Sequence, residues 1–418
     1  MKILVLNCGS SSLKFQLIET DEKLASSGSD RALAKGQVEN IGGIAVVKYE
    51  SLGRKRLKET AEILEHRVAV DRSLALLSDP EVGVIRDRKE VEAVGHRVVH
   101  GGERFSSSAL IDSEVLAAIE DCFEMAPLHN PANVRGYRAA HAVLPDVPHV
   151  AVFDTAFHQT MPPQAFLYGL PYVLYERYGI RRYGFHGTSH RFVSQRLTVL
   201  LKRSTDDPDL RLITCHLGNG CSVSAIRGGH SVDTSMGFTP VEGLVMGTRC
   251  GDVDPVALLY VVGREEIGPS EVNTLINKHS GLLGLSGISN DMRVLLEAEA
   301  KGNDRAKLAV EVFCYRLKKY ISAYAGILGG VDGLAFAGGI GENSDVIRAR
   351  CLQGLEGMGF LIDTTRNTGV RGVETEISPA GTRPRIFIIP TDEELLIARD
   401  TYALVAGYPP KTTSEETP

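Results

Sequence analysis

The chain has 418 residues, 43 % hydrophobic and 23 % charged, an ordinary globular composition with room for two or three domains. Lys and Arg total 46 against 52 Asp and Glu, a net charge of −6 with no basic block; this argues against bulk nucleic-acid binding, which needs clustered cations to neutralise phosphates. The seven cysteines form no C-x-x-C pair, which reads as reduced thiols of a cytoplasmic protein, and no stretch reads as a signal-peptide core or a membrane span.

Ile3–Leu6 reads as a buried strand, residues 7–12 as a turn, and Leu13, Phe15 and Leu17, alternating with Lys14 and Gln16, as the returning strand. The more polar stretch from Gly28 to Thr60 reads as a peripheral hairpin. Val94–Val99 carries Arg97 and ends at Gly101-Gly102, and the apolar run Val150–Phe153 delivers Asp154 to a strand end. His186 stands among aromatic residues and glycines just before a helix. Leu212–Cys215, the turn Leu217-Gly218-Asn219-Gly220 and Ser222–Ile226 make a second hairpin. Asp233–Pro240 and Gly247–Pro255 form a long loop dense in Gly, Thr and Asp, in which Arg249 is flanked by small residues; long loops without regular structure are commonly functional. Apolar spacing from Leu308 to Leu328 predicts a core helix. Leu334–Ala337 predicts a strand running into a glycine turn at 338–343, with another helix starting near Asn343-Ser344. Two hairpins half a chain apart predict a duplicated α/β fold. The expected domains are 1–154, completed by a C-terminal helix at 391–408, and 155–390, with a disordered tail at 409–418.

Glycine tips bring backbone amides and small hydroxyls close to a ligand, but a single tip of this kind is more often a plain turn. Two matched tips, at Asn7 to Ser12 and Gly218 to Gly220, together with Gly338 to Asn343, point to phosphate binding. The G-x-x-x-x-G-K-[ST] signature is absent, which excludes a P-loop. Arg97 at a strand end suits bidentate contact with a carboxylate or phosphate, or is a surface arginine. Asp154 suits a site at a strand's carboxyl end, or a turn or cap. His186 is a packed core residue or, with glycines letting a ligand approach, a functional one.

The run Leu4–Phe15 (LVLNCGSSSLKF) resembles the opening signature of the acetate kinases, and Asp233–Arg249 resembles a second signature of that family. Further matches at 94–102, 126–133, 150–162, 183–190, 214–226, 281–293, 338–343 and 390–397 spread the resemblance over nearly the whole chain. It implies a duplicated, ribonuclease-H-like fold of the actin, Hsp70 and sugar-kinase type, with ATP in the interdomain cleft. It implies Mg²⁺, or Mn²⁺ in its place, on Asn7 and Glu393, and phosphate contacts from Ser12 and Lys14. Arg97 and Arg249 resemble the arginine pair flanking the reacting groups. His186 resembles the transition-state stabiliser, His129 a second histidine nearby, and Asp154 the catalytic aspartate. Nucleotide contacts are implied for His216, Leu217, Gly218, Asn219 and Gly220, for Asp291, Met292 and Arg293, and for Gly339, Ile340, Gly341, Glu342 and Asn343. Val99, Leu128, Phe185 and Pro240 resemble the pocket for the acetate methyl. Relatives are commonly homodimers. Three positions depart from the family pattern: Cys221, Cys250 and Asp392. Cys250 beside Arg249 leads to an expectation that thiol modification inhibits.

The implied reaction is transfer of the ATP γ-phosphoryl group to acetate, giving ADP and acetyl phosphate. Acetate is already an anion, so Asp154 is expected to orient Arg249 or a metal-bound water rather than act as a base. One methylene changes discrimination only about 10–200-fold, so a propionate or butyrate kinase is the near alternative. A non-catalytic Hsp70-like ATP clamp is the distant one; it does not call for the set Arg97, His186 and Arg249.

Overall fold

Leu4, Leu6 and Cys8 turn to one face of strand β1 (Lys2–Cys8) and Ile3 and Val5 to the other, and each set joins a separate core. Both faces of the strand are covered, which is why its sequence is a continuous apolar run rather than an alternating one. Each fully buried aliphatic side chain contributes about 1.5–3 kcal/mol, enough to offset the roughly 1–2 kcal/mol of backbone entropy lost per residue. The computed structural model describes residues 1–54 and 56–407; the expected disordered tail at 409–418 lies outside the described residues.

Among the described residues the strands form two sheets. The first contains β1, β2 (Ser12–Glu19), β3 (Arg31–Glu39), β4 (Gly43–Ser51), β5 (Leu57–Ile63), β6 (Ala93–Val98), β7 (Ala109–Leu110) and β8 (His149–Phe153), in the order β5-β4-β3-β2-β1-β6-β8-β7. The second contains β9 (Arg211–Leu217), β10 (Cys221–Arg227), β11 (His230–Thr234), β12 (Gly333–Ala337), β13 (Thr375–Glu376) and β14 (Arg385–Ile388), in the order β11-β10-β9-β12-β14-β13. The runs β3-β2-β1-β6-β8 and β11-β10-β9-β12-β14 match: the first three strands of each are mutually antiparallel and the last three parallel. The fold is therefore duplicated, and the glycine-tipped hairpins β1–β2 and β9–β10 occupy equivalent places in the two copies.

Gly28 to Thr60 is not peripheral. Its strands β3, β4 and β5 extend the first sheet from β2, and Val38, Ala45, Val47 and Tyr49 are buried in its core. The apolar residues alternate with charged ones, so average polarity hid a half-buried sheet of period two. The predicted core helix is Asp304–Leu328, and Ser344 caps the helix Asp345–Leu352 by accepting from the Ile347 N–H. The expected glycine turn at 338–343 is instead a short helix, Gly338–Asn343.

The chain divides into two units, Met1–Gln159 with the segment from Asp392, and Thr160–Thr391. In the first, the helix Glu393–Val405 lays Ile397 and Ala398 against Ile3, Val5, Val150 and Val152. Gly95 makes that approach possible, since a Cβ there would lie 2.5 Å from Thr401 Oγ1 and 2.7 Å from Ile397 Cγ2.

On the opposite side of β6, His96 and His149 share a 2.9 Å hydrogen bond, and His149 Nε2 donates to the Leu144 carbonyl at 3.0 Å. Tyr137 and His141 pack edge-on against the His149 ring. Burial, with the neighbouring histidines adding to it, pushes His96 well below the ordinary 6.5, and burial also lowers His149. The unfolded chain therefore binds more protons below pH 6.5, and stability is retained above that value and lost as pH falls through it. Thermal melts between pH 7.5 and 5 should show this loss, and His149→Gln should flatten it. An unchanged slope in the variant would assign the acid loss to other groups.

Candidate active site

In the first unit, the parallel strands β1, β6 and β8 end side by side, and their carboxyl ends carry Asn7, Arg97 and Asp154. Such ends are the usual ligand edge of an α/β sheet. Arg97 binds Asp154 through two N–H groups: Nε donates to Oδ1 at 3.3 Å, and a terminal nitrogen donates to Oδ2. Its other terminal nitrogen donates to Asn7 Oδ1 at 3.4 Å, and Nε lies 3.8 Å from Glu393 Oε2 in the first turn of the last helix. Arg97 is thus the hub of a carboxylate cluster, not a surface arginine.

The electrostatics follow from burial. Desolvation alone would lower the Arg97 pKa, but Asp154 and Glu393 more than offset it and the guanidinium is held charged. Desolvation pushes Glu393 up to about 7; Arg97 opposes the shift and Asp154 adds to it.

Lys14 pairs across the hairpin with Asn7 and is exposed. The Ser12 carbonyl accepts the Gly9 N–H at 2.8 Å, and a Cβ on Gly9 would meet Ser12 Oγ at 2.7 Å, so this tip is tight. Val99 is buried, whereas Leu128 is half exposed just before His129, which occupies the cap position of the helix Asn130–Val143. Two residues in that helix escaped the sequence reading. Asn133 accepts from the Val99 N–H at 3.1 Å and donates to the Cys8 carbonyl at 2.9 Å, while Asn130 bonds both the N–H and the carbonyl of His100. Together they fix the backbone on either side of the Arg97 strand end. Two asparagines in the helix's first turn, where cap residues concentrate, were the available signal.

In the second unit, the β9–β10 tip closes with the Gly218 N–H donating to the Gly220 carbonyl at 3.0 Å. His186 sits at φ 57, ahead of the helix Gly187–Leu200; its ring stacks on His216 with centroids 4.3 Å apart. A Cβ on Gly220 would lie 3.1 Å from an Arg249 terminal nitrogen and 3.3 Å from His186 Nε2. A Cβ would crowd both side chains, so the tip, His186 and Arg249 converge on one point. The same arginine nitrogen donates to the Pro240 carbonyl at 3.3 Å. The Gly247 N–H bonds the Asn219 carbonyl at 2.9 Å, tying the loop that carries Arg249 to the tip. Phe185, preceding His186, is buried.

The other nucleotide candidates have structural partners. The Glu342 carboxylate accepts from the N–H groups of Gly338 and Thr391 at 2.7 and 3.1 Å, and Asn343 donates to the Gly339 carbonyl at 2.9 Å. Asp291 caps the helix Met292–Ala300 by accepting from the Arg293 N–H at 2.9 Å and also pairs with the exposed Arg293 guanidinium. Neighbouring Asn290 donates to Asn219 Oδ1 at 3.0 Å, bringing that segment beside the tip. Gly338 at φ +74 abuts the Leu217 backbone, bringing the 338–343 helix there too.

The departures from the family pattern also find explanations. Asp392 caps the last helix by accepting from the Leu395 N–H at 2.9 Å, which an asparagine does equally well. Cys221 is fully buried with its thiol on the Gly218 carbonyl, and burial pushes it up to about 12. Cys250 is partly buried, and burial raises its thiol above the ordinary cysteine value.

Residues 2–399 match the Acetokinase family. The acetate kinase of Methanosarcina barkeri is 51 % identical over 406 residues, 97 % of each chain. That of Symbiobacterium thermophilum is 53 % identical over 406 residues, 97 % of this chain and 99 % of the relative. Among solved structures, Porphyromonas gingivalis acetate kinase superposes with a TM-score of 0.91 at 45 % identity, over 97 % of this chain and 99 % of that one. A propionate kinase from Francisella tularensis gives 0.87 at 41 % identity, over 96 % and 98 %.

Proposed function

Because the chain belongs to the acetokinase family, we propose that it transfers the γ-phosphoryl group of ATP to acetate, reversibly, forming ADP and acetyl phosphate. The observation that carries this reading is identity of about half over nearly the full chain to acetate kinases, with Arg97, His186 and Arg249 all present.

An acetate oxygen attacks the γ-phosphorus in line as the bond to the β–γ bridging oxygen breaks, and ADP leaves with that electron pair. No proton moves, so Asp154 is not needed as a base; its bidentate grip aims Arg97 instead. Arg97 and Arg249 flank the reacting groups, and His186 donates to the transferring phosphoryl, with His129 as a second donor. Positioned charge of this kind is the main lever of phosphoryl transfer. Ser12, Lys14 and the amides of Gly218 to Gly220 hold phosphates, and the segments 216–220, 291–293 and 339–343 hold the nucleoside. Asn7 and Glu393 offer hard oxygen donors around one guanidinium, a set that fits magnesium, which takes one or two carboxylates and keeps waters and phosphates. When bound there, the ion would neutralise charge on phosphate oxygens.

Val99 and Leu128 in the first unit and Phe185 and Pro240 in the second are the residues proposed to receive the acetate methyl. A second reading, a propionate kinase, is favoured by the Francisella tularensis neighbour. A hydroxamate assay with acetate, propionate and butyrate decides between them. Acetate should be preferred, and turnover should vanish in Arg249→Ala; no turnover with any acid would refute the assignment.

The same reading places the enzyme in the cytoplasm as a homodimer. Support for assembly comes from the helix Pro255–Glu265, where Val256, Leu259 and Tyr260 are 65, 68 and 62 % exposed and no residue is buried. An apolar helix without a buried face is stable only when something covers it. Sedimentation should report a dimer that Leu259→Glu converts to monomer; a monomeric wild type would refute this.

A further inference from the structure

We infer that Thr214, His190 and Ser222 form an ordered hydrogen-bond relay that presents His186 as a neutral Nε2–H donor, making Ser222 and His190 positioning residues for phosphoryl transfer. The inference rests on the role proposed for His186 and goes beyond it, because it specifies how the proton on that ring is placed.

Ser222 Oγ lies 2.9 Å from His186 Nδ1 and 2.7 Å from His190 Nε2, and His190 Nδ1 lies 2.7 Å from Thr214 Oγ1. The histidines stand one helical turn apart, the His190 N–H donating to the His186 carbonyl at 2.9 Å, so both rings lie on the same helix face. Thr214, His190 and Ser222 are at most 1 % exposed, on strands β9 and β10 and the helix between them and His186. In a site this dry the direction of each proton matters, since water cannot repair a mismatch.

A serine hydroxyl has one proton. Where that proton is used between the two imidazole nitrogens, the hydroxyl donates to one and accepts from the other, and this gives two orders. In the first, Thr214 donates to His190 Nδ1, His190 Nε2–H to Ser222, and Ser222 to His186 Nδ1, so the His186 proton sits on Nε2. In the second, every bond is reversed and Nε2 carries a lone pair. The Cε1–Nε2 edge of His186 and an Arg249 nitrogen border the same point beside Gly220, 3.2, 3.3 and 3.1 Å from where a Cβ would stand. A phosphoryl oxygen there accepts from both in the first order and is repelled by the lone pair in the second, so the first is the order that serves transfer, and the relay holds it by keeping a donor on Nδ1. The donor is then neutral, and its supply does not depend on an imidazolium.

The test uses kcat against pH. In the wild type the His186 donor is the neutral ring, so its supply adds no acid limb. Ser222→Ala frees the tautomer, leaving the imidazolium as the assured donor. Turnover should fall about 10- to 100-fold at pH 8, recover toward acid, and show a new limb on the acid side, with KM for ATP and acetate changed less than threefold. His190→Gln, whose amide both donates to Ser222 and accepts from Thr214, should keep the wild-type profile, whereas His190→Leu should copy Ser222→Ala. Unchanged kcat in Ser222→Ala, or a uniform loss without a new limb, would overturn the relay; melting curves separate the latter from misfolding. Wild-type activity in His186→Ala would instead refute the role proposed for that histidine, and the relay's catalytic meaning with it.

Discussion

Arg97→Ala is expected to lose at least about 100-fold in turnover and also about 3–5 kcal/mol of stability, because one guanidinium serves the chemistry and neutralises the carboxylates around it. Asp154 is fully buried and accepts from the Arg97 Nε, and Glu393 lies 3.8 Å from that nitrogen, so removing the cation takes its charge away from two neighbouring carboxylates. Arg97→Lys should recover part of the stability but little of the rate, since one ammonium cannot reproduce two bonds to Asp154 and a third to Asn7. The double variant Arg97→Ala/Asp154→Asn separates the two effects: stability should return, activity should not. Hydroxamate turnover and melting curves on the three variants check this. A stable, active Arg97→Ala would show that the cluster is neither catalytic nor strained by its loss.

Arg348→Met is expected to destabilise the second unit by about 3 kcal/mol or more and to raise KM for ATP over tenfold while leaving KM for acetate nearly unchanged. The Arg348 guanidinium is completely buried, its hydrogen bonds go to amide oxygens, and the Asp345 carboxylate helps hold its charge without a direct bond among the described residues. It donates to Asn367 Oδ1 at 2.8 Å and to the carbonyls of Gly341, Val370 and Asn367 at 2.8, 3.0 and 3.4 Å. Burial lowers it to about 10, which still leaves it charged at neutral pH. Each acceptor stripped of its donor in the interior costs about 1–3 kcal/mol, partly offset by no longer burying a charge. One of these acceptors belongs to the helix Gly338–Asn343, so the proposed nucleotide contacts shift with it, whereas Arg97 is untouched. Equal rises in both KM values would point to general unfolding, and no rise in either would detach Arg348 from the nucleotide.

Local chemistry was legible in the sequence by itself. Short apolar runs marked β1, β9 and β12, alternation marked β2, the return from a glycine tip marked β10, glycine and small polar residues marked both hairpin tips, and helical spacing marked Asp304–Leu328. These signals act between residues a few positions apart, so periodicity reports them directly. The family signatures were equally plain, since each is a contiguous run.

Tertiary structure alone decided which charges meet. Arg97 and Asp154 are 57 residues apart and Glu393 lies in the last helix, yet parallel strand order and the docking of that helix bring all three together. The sheet also decided that β3, β4 and β5 belong to the main core, that Gly338–Asn343 winds into a helix, and that Ser222 bridges two histidines 32 and 36 positions away. A buried charge or hydroxyl takes the partner that topology places beside it, and no local pattern encodes that choice.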